Sequence, residues 1–256
     1  MWNKTPHLCR YWMRRISEHI ALLVLTIMLA AVAPSTCLAQ VTVTAGKDIS
    51  PQQLSVARDT VNMLQSDMEK NFSMFLSGDV VIELRSGKNP DTKKTNGTAH
   101  KGHISIWLDS DAQAYKVAFL VAHELTHQYQ MEIVGERTLD KNMWFTEGMA
   151  DVIGASTANY YGKNNFKAFA QSARQKVKGK YIPLAFYERR ATWYDAYERG
   201  IPVYAKADAA MMYLTSRHSP MLMWSYLYKL KELNDTNAAL QRTYGIGTEE
   251  LEKIIG

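Results

Sequence analysis

His123-Glu124-Leu125-Thr126-His127 sets two imidazoles four residues apart with a carboxylate next to the first. On an α-helix this spacing puts both rings on one face, one turn apart, where they can share a divalent ion. Glu124 lies to the side of that face, where it can accept a proton from a water on the ion. Phe119, Leu120, Val121, Ala122 and Leu125 surround the pattern and mark a buried helix, in which ionisable groups need partners.

A second acidic stretch completes the set. Trp144-Phe145-Thr146-Glu147-Gly148-Met149-Ala150-Asp151 opens another helix, and Glu147 follows His127 by 20 residues, enough for a loop and an antiparallel return. Two histidines and a glutamate form a catalytic zinc (Zn2+) set, because three protein ligands leave the fourth tetrahedral position to water. Asp151 is four residues beyond Glu147 on the same face, where it can accept the free ring N–H of His123 and fix its tautomer. Two like charges at this spacing repel unless a cation lies beside them. Gly148 is expected to let this second helix approach the first closely.

HELTH followed by WFTEGMAD resembles the gluzincins, the thermolysin-type metallopeptidases, and within them the small peptidase MA-like bacterial proteins. The similarity runs from the strand near Ile104 through both motif helices and, more loosely, from Tyr204 to Ile255. It implies that His123, His127 and Glu147 bind zinc, that Glu124 is the general base and that Asp151 orients His123. It implies a peptide or protein substrate and an endopeptidase-like hydrolase; no G-x-M-E-N motif is present to grip a free amino terminus. Tyr204 in Val203-Tyr204-Ala205-Lys206 is the candidate donor to a tetrahedral oxyanion. Tyr194 and Tyr197 are expected in the core or the cleft wall, and His218 at a surface turn before Pro220. The rival reading is a binding or scaffold protein that keeps such a fold without turnover; the intact Glu124 argues against it.

The elements around these helices predict an α+β fold: a small sheet-bearing N-terminal lobe, about residues 40–135, packed on the active-site helix, and a mostly helical C-terminal lobe, about 136–256. Strands are expected at Val41–Thr44, Val80–Leu84 and Ile104–Leu108. Ser50-Pro51 opens a helix to about Phe75, with the cap and first-turn proline such a start requires. Ser86 to Gly102, rich in Gly, Lys, Asn and Thr, predicts an exposed loop. The metal-site helix is expected from Asp111 to Val134, stopped by Gly135, and its partner from Trp144 to Tyr160, stopped by Gly162. Beyond Gly162 the pattern is helical, including Ala209–Leu214, Leu222–Leu233 and Thr248–Ile255, with joints at Gly179, Pro183, Gly200, Pro202 and Pro220.

The first 39 residues differ in kind. Lys4, Arg10, Arg14 and Arg15 precede an uncharged run, Ile20 to Ala33, and then the small-residue stretch ending Cys37-Leu38-Ala39. This is the pattern of a signal peptide cleaved before Gln40, and the run is shorter than the roughly 20 residues of a spanning helix. The expected mature chain, 40–256, is therefore secreted or periplasmic, without a stable membrane span. Both cysteines, Cys9 and Cys37, fall in this segment, so a thiolate metal ligand is excluded from the remainder. Its removal takes four basic residues and Glu18, lowering the net charge from +5 to +2. Little basicity is left for a nucleic-acid partner, and Lys176, Lys178 and Lys180 are expected to be a solvated surface.

Overall fold

A computed structural model describes residues 39–90, 95–162 and 166–255. The signal-peptide reading falls on residues outside them, apart from Ala39. The architecture is α+β, with a small four-stranded sheet near the amino terminus and helices forming most of the rest.

Strands β1 (Val41–Ala45), β2 (Val80–Ser86) and β4 (His103–Leu108) run parallel, and β3 (Gly97–His100) pairs antiparallel with β4, giving the order β1-β2-β4-β3. Val80, Ile82 and Leu84 alternate inward along β2, while Ile104, Ile106 and Leu108 are fully buried on β4. Helix α1 (Pro51–Phe72) connects β1 to β2. Its start has a physical cause: Ser50 Oγ accepts the Gln53 N–H at 3.2 Å and Gln53 Oε1 accepts the Ser50 N–H at 2.9 Å, a reciprocal cap, and Pro51 lacks the donor a first turn cannot use.

The region from Ser86 to Gly102 is not wholly a loop. Gly97–His100 lacks the β-branched run that identifies a strand, yet it forms the sheet edge. Two contacts hold it there: the ladder to β4, and the Gln128 side chain, which donates to His100 O at 2.7 Å and accepts from Gly102 N at 3.0 Å. Pairing and tertiary grip override weak local propensity.

Helix α2 (Ala114–Val134) carries HELTH and starts three residues later than expected, because Asp109 to Ala112 forms a separate turn. Gly135, at φ 75°, ends it, and a single helical turn, α3 (Glu136–Leu139), leads to α4 (Met143–Ala158). A 3-10 turn, Asn159–Tyr161, extends α4 to Gly162. Helices α5 (Phe166–Val177), α6 (Arg190–Glu198), α7 (Val203–Arg217), α8 (Met221–Leu233), α9 (Thr236–Tyr244) and α10 (Thr248–Ile255) follow. Lys176, Lys178 and Lys180 are exposed. Among the described residues, no helix is long and apolar enough to cross a membrane.

Helix α4 is the spine of the fold, with nearly every residue buried between α2 on one side and α7 on the other. Gly148 permits a close approach, but to α7 and not to α2. A Cβ there would lie 2.7 Å from Met211 Cγ and 2.8 Å from the Ala207 carbonyl oxygen. The close approach to α2 is made instead by Gly154, whose Cβ position is 3.0 Å from Phe119 O. Gly148→Ala must therefore push α7 aside, and denaturant unfolding should show a loss of about 1–3 kcal/mol. Parent-like stability would mean that α7 yields freely.

Candidate metal centre

Three acceptor atoms from α2 and α4 converge on one point. His123 Nε2 lies 3.2 Å from His127 Nε2 and 3.4 Å from Glu147 Oε2, and His127 Nε2 lies 3.8 Å from the same oxygen. Ligand bonds of about 2.1 Å to a tetrahedral ion place neighbouring donors about 3.4 Å apart, so the spacing fits a small divalent cation. The three residues form a group able to hold a metal ion.

The far sides of both rings decide the tautomers. His123 Nδ1 meets Asp151 Oδ1 at 2.8 Å, and His127 Nδ1 meets Gln130 Oε1 at 2.8 Å. A carboxylate and an amide oxygen can only accept, so each Nδ1 must carry the hydrogen. Each Nε2 is then a bare lone pair in the neutral ring, aimed at another lone pair and at a carboxylate. Such a group is stable only with a positive charge among its members. Without a metal, a proton takes that place: burial opposes it, but Asp151, Glu147 and Glu124 together raise the His123 pKa well above its ordinary value. Burial and the charge of His123 lower that of His127, although Glu147 opposes the shift, and burial likewise works against a Glu147 carboxylate that the two histidines nonetheless hold ionised below its usual range.

Gln130 was not among the sequence candidates, and it does two things. It accepts from His127 through Oε1, and through Nε2 it donates to the Thr146 carbonyl at 3.0 Å, next to Glu147. Its position three residues after His127, on the same helical face, is the one signal the sequence offers. Asp208 on α7 was also missed. Burial, then the charge of Asp151, raise its pKa well above the carboxylate range, so it stays protonated and donates to Asp151. An Asp within Ala205-Lys206-Ala207-Asp208-Ala209-Ala210, a buried helical stretch, was the available clue.

Glu124 is not one of the three converging residues and lies against the edge strand. A Cβ on Gly97 would stand 2.1 Å from Glu124 Oε1 and 2.6 Å from its Cδ, so the absence of a side chain there is what leaves room for the carboxylate. Burial pushes the Glu124 pKa up to about 7, opposed by His123 and reinforced by Glu147 and Asp151.

His123, Glu124, His127, Glu147 and Asp151 line a cleft of about 430 Å³. One wall is residues 95–100 of the sheet edge; Phe119 and Leu120 line it from α2, and Arg190, Tyr194, Tyr197 and Tyr204 from α6 and α7. The sequence candidates His123, Glu124, His127, Glu147, Asp151 and Tyr204 thus meet in one place. Tyr204 stacks edge-on between Trp193 and Tyr197, at 5.0 and 5.2 Å, and its phenol pairs with that of Tyr194. Burial, with the nearby Glu147, raises both phenol pKa values, so both remain protonated. His218 lies outside the cleft, against the Tyr244 ring.

No protein-family model and no curated protein sequence matches this chain. The metal reading therefore stands on the geometry. The purified protein should bind about one divalent ion per chain, and His127→Ala should lose it on dialysis, as read by elemental analysis. Gln130→Ala removes only the orienting partner and should keep the ion with an affinity about 10- to 100-fold lower in chelator competition. Unchanged metal content in His127→Ala would exclude this ligand set.

Proposed function

We propose that this chain is an exported zinc metallopeptidase of the gluzincin type, with His123, His127 and Glu147 as ligands. The observation that carries the reading is the convergence of His123 Nε2, His127 Nε2 and Glu147 Oε2 beside a buried carboxylate, Glu124, in an open cleft. A purely structural metal site would be closed by a fourth protein ligand; here, among the described residues, the group has three members. A peptide is the substrate best suited to the cleft, because β3 is the outermost strand of its sheet and residues 95–100 line the wall. An extended peptide can pair with such an edge through main-chain hydrogen bonds.

Zinc at this centre would polarise the scissile carbonyl and acidify the attacking water. Glu124 takes the proton of that water as its oxygen adds to the carbonyl carbon, and then delivers a proton to the amide nitrogen as the C–N bond breaks. Asp151 and Gln130 hold the rings in the tautomers that leave Nε2 free, and Asp208 holds Asp151. Tyr204, paired with Tyr194, donates to the oxygen that becomes negative. The export part of the proposal rests on the amino-terminal segment and is tested by sequencing the amino terminus of the protein recovered outside the cytoplasm, with Gln40 expected.

Glu124→Gln keeps the shape of the side chain but cannot accept a proton. It should retain the metal in elemental analysis while losing hydrolysis of a quenched peptide library. A variant that cleaves at the parent rate would remove Glu124 as the base. A parent protein that binds zinc and peptide yet cleaves nothing would favour the scaffold reading. Tyr204→Phe should lower kcat by about a hundred- to a thousandfold with little change in substrate binding. Near-parent turnover would leave Tyr204 as a wall residue and pass the donor role to Tyr194.

A further inference from the structure

Arg190 is the one lysine or arginine that lines the cleft among the described residues, where Glu124, Glu136, Glu147 and Asp151 supply the acidic charge. It is held firmly from behind. Its Nε donates to Asp140 Oδ1 at 2.6 Å, and its backbone N–H donates to Asp140 O at 2.8 Å; Asp140 itself does not line the cleft. Its guanidinium carbon lies 6.0 Å from the Tyr194 ring centroid. Among the described residues, neither terminal nitrogen of Arg190 donates a hydrogen bond. The planar end of the fork, two nitrogens presenting parallel N–H bonds, is the geometry that meets a carboxylate bidentately.

Its place in the chain is itself informative. Arg190 is the first residue of α6, where the helix dipole favours a negative charge and a cation is unfavourable. The N-cap, Arg189, makes no side-chain cap. An anion drawn to Arg190 would complement the guanidinium. Met131, Leu139 and Met143 line the cleft as well and offer apolar surface to the stem of a side chain.

We propose that Arg190 anchors a substrate carboxylate in the metal-centre cleft, making the preferred substrates peptides with an acidic side chain or a free carboxyl terminus near the cleaved bond. This substrate class rests on the metallopeptidase reading above. Histidines and tyrosines aside, every other ionisable side chain that lines the cleft is a Glu or Asp, so the preference is specific to the Arg190 end.

The test uses internally quenched hexapeptides in matched pairs, with Glu or Gln at each position in turn and with a carboxyl terminus either free or amidated. For the zinc-loaded parent, kcat/KM for the acidic member of one pair type should exceed that of its neutral twin by about ten- to a hundredfold, chiefly through KM. The pair type that shows it identifies the source of the carboxylate. In Arg190→Gln the ratio should fall close to one. Arg190→Lys, which keeps the charge but loses the fork, should give an intermediate ratio and covers the case in which the Gln variant does not fold. The same pairs, fluorescently labelled, are titrated against zinc-loaded Glu124→Gln protein with and without the Arg190→Gln change. Cleavage without acidic preference, or a preference that survives in Arg190→Gln, overturns the anchor and leaves the hydrolase reading intact. Binding that favours the acidic twin and depends on Arg190, in a protein whose parent cleaves no peptide, supports the anchor and overturns hydrolysis.

Discussion

Three lone pairs on His123, His127 and Glu147 are held within 4.8 Å of one another in the interior, and each ring is barred by its outer partner from keeping its proton on the facing nitrogen. Mutual repulsion in a low-dielectric setting would drive such a group apart unless a cation compensates it. The surrounding structure resists that separation. Helices α2 and α4 are packed along their lengths, α7 is pressed onto α4 at Gly148, and Gln130 and Asp151 reach from behind to fix each ring. The fold thereby keeps the acceptors together, and a cation that satisfied them would contribute to its stability.

The residues fall into successive layers with different physical tasks. The converging atoms need bare lone pairs; Asp151 and Gln130 need to accept, so that the rings present those lone pairs; Asp208, kept neutral by burial, donates to Asp151. Glu124 stands apart from this chain of contacts. Its carboxylate rests against the bare backbone of Gly97, so the sheet edge positions the proposed base while α2 and α4 hold the converging atoms.

Much of this was legible in the sequence because the relevant residues lie on long, strongly patterned helices. HELTH sits in an apolar run ended by Gly135, and Glu147 and Asp151 share a face by simple periodicity, so their convergence follows from helix geometry. The fold class was legible for the same reason. What was hidden depends on contacts between distant parts. Gly97–His100 has little strand propensity and becomes a strand through β4 and Gln128. Gln130 is a neutral side chain that, read alone, is indistinguishable from a solvated one. Gly148 was expected to bring α4 close to α2, yet it is α7 that approaches it, because periodicity does not say which neighbour packs on a face. Arg190 lies 43 residues beyond Glu147, and α6 brings it into the cleft through the Asp140 tether, which no local pattern announces.

The hydrogen bond from Gln130 to the Thr146 carbonyl has a consequence for how this chain can vary. One side chain of α2 holds both the ring of His127 and the first turn of α4, so the distance between the ligand-bearing helices is set by a direct strut. The segment that joins them, from Gly135 to Asn142, is relieved of that task. It borders the cleft through Glu136 and Leu139. Changes of length or composition there can reshape the mouth of the cleft while the spacing of the three acceptors is kept, so what the cleft admits is free to diverge around a constant His-His-Glu group.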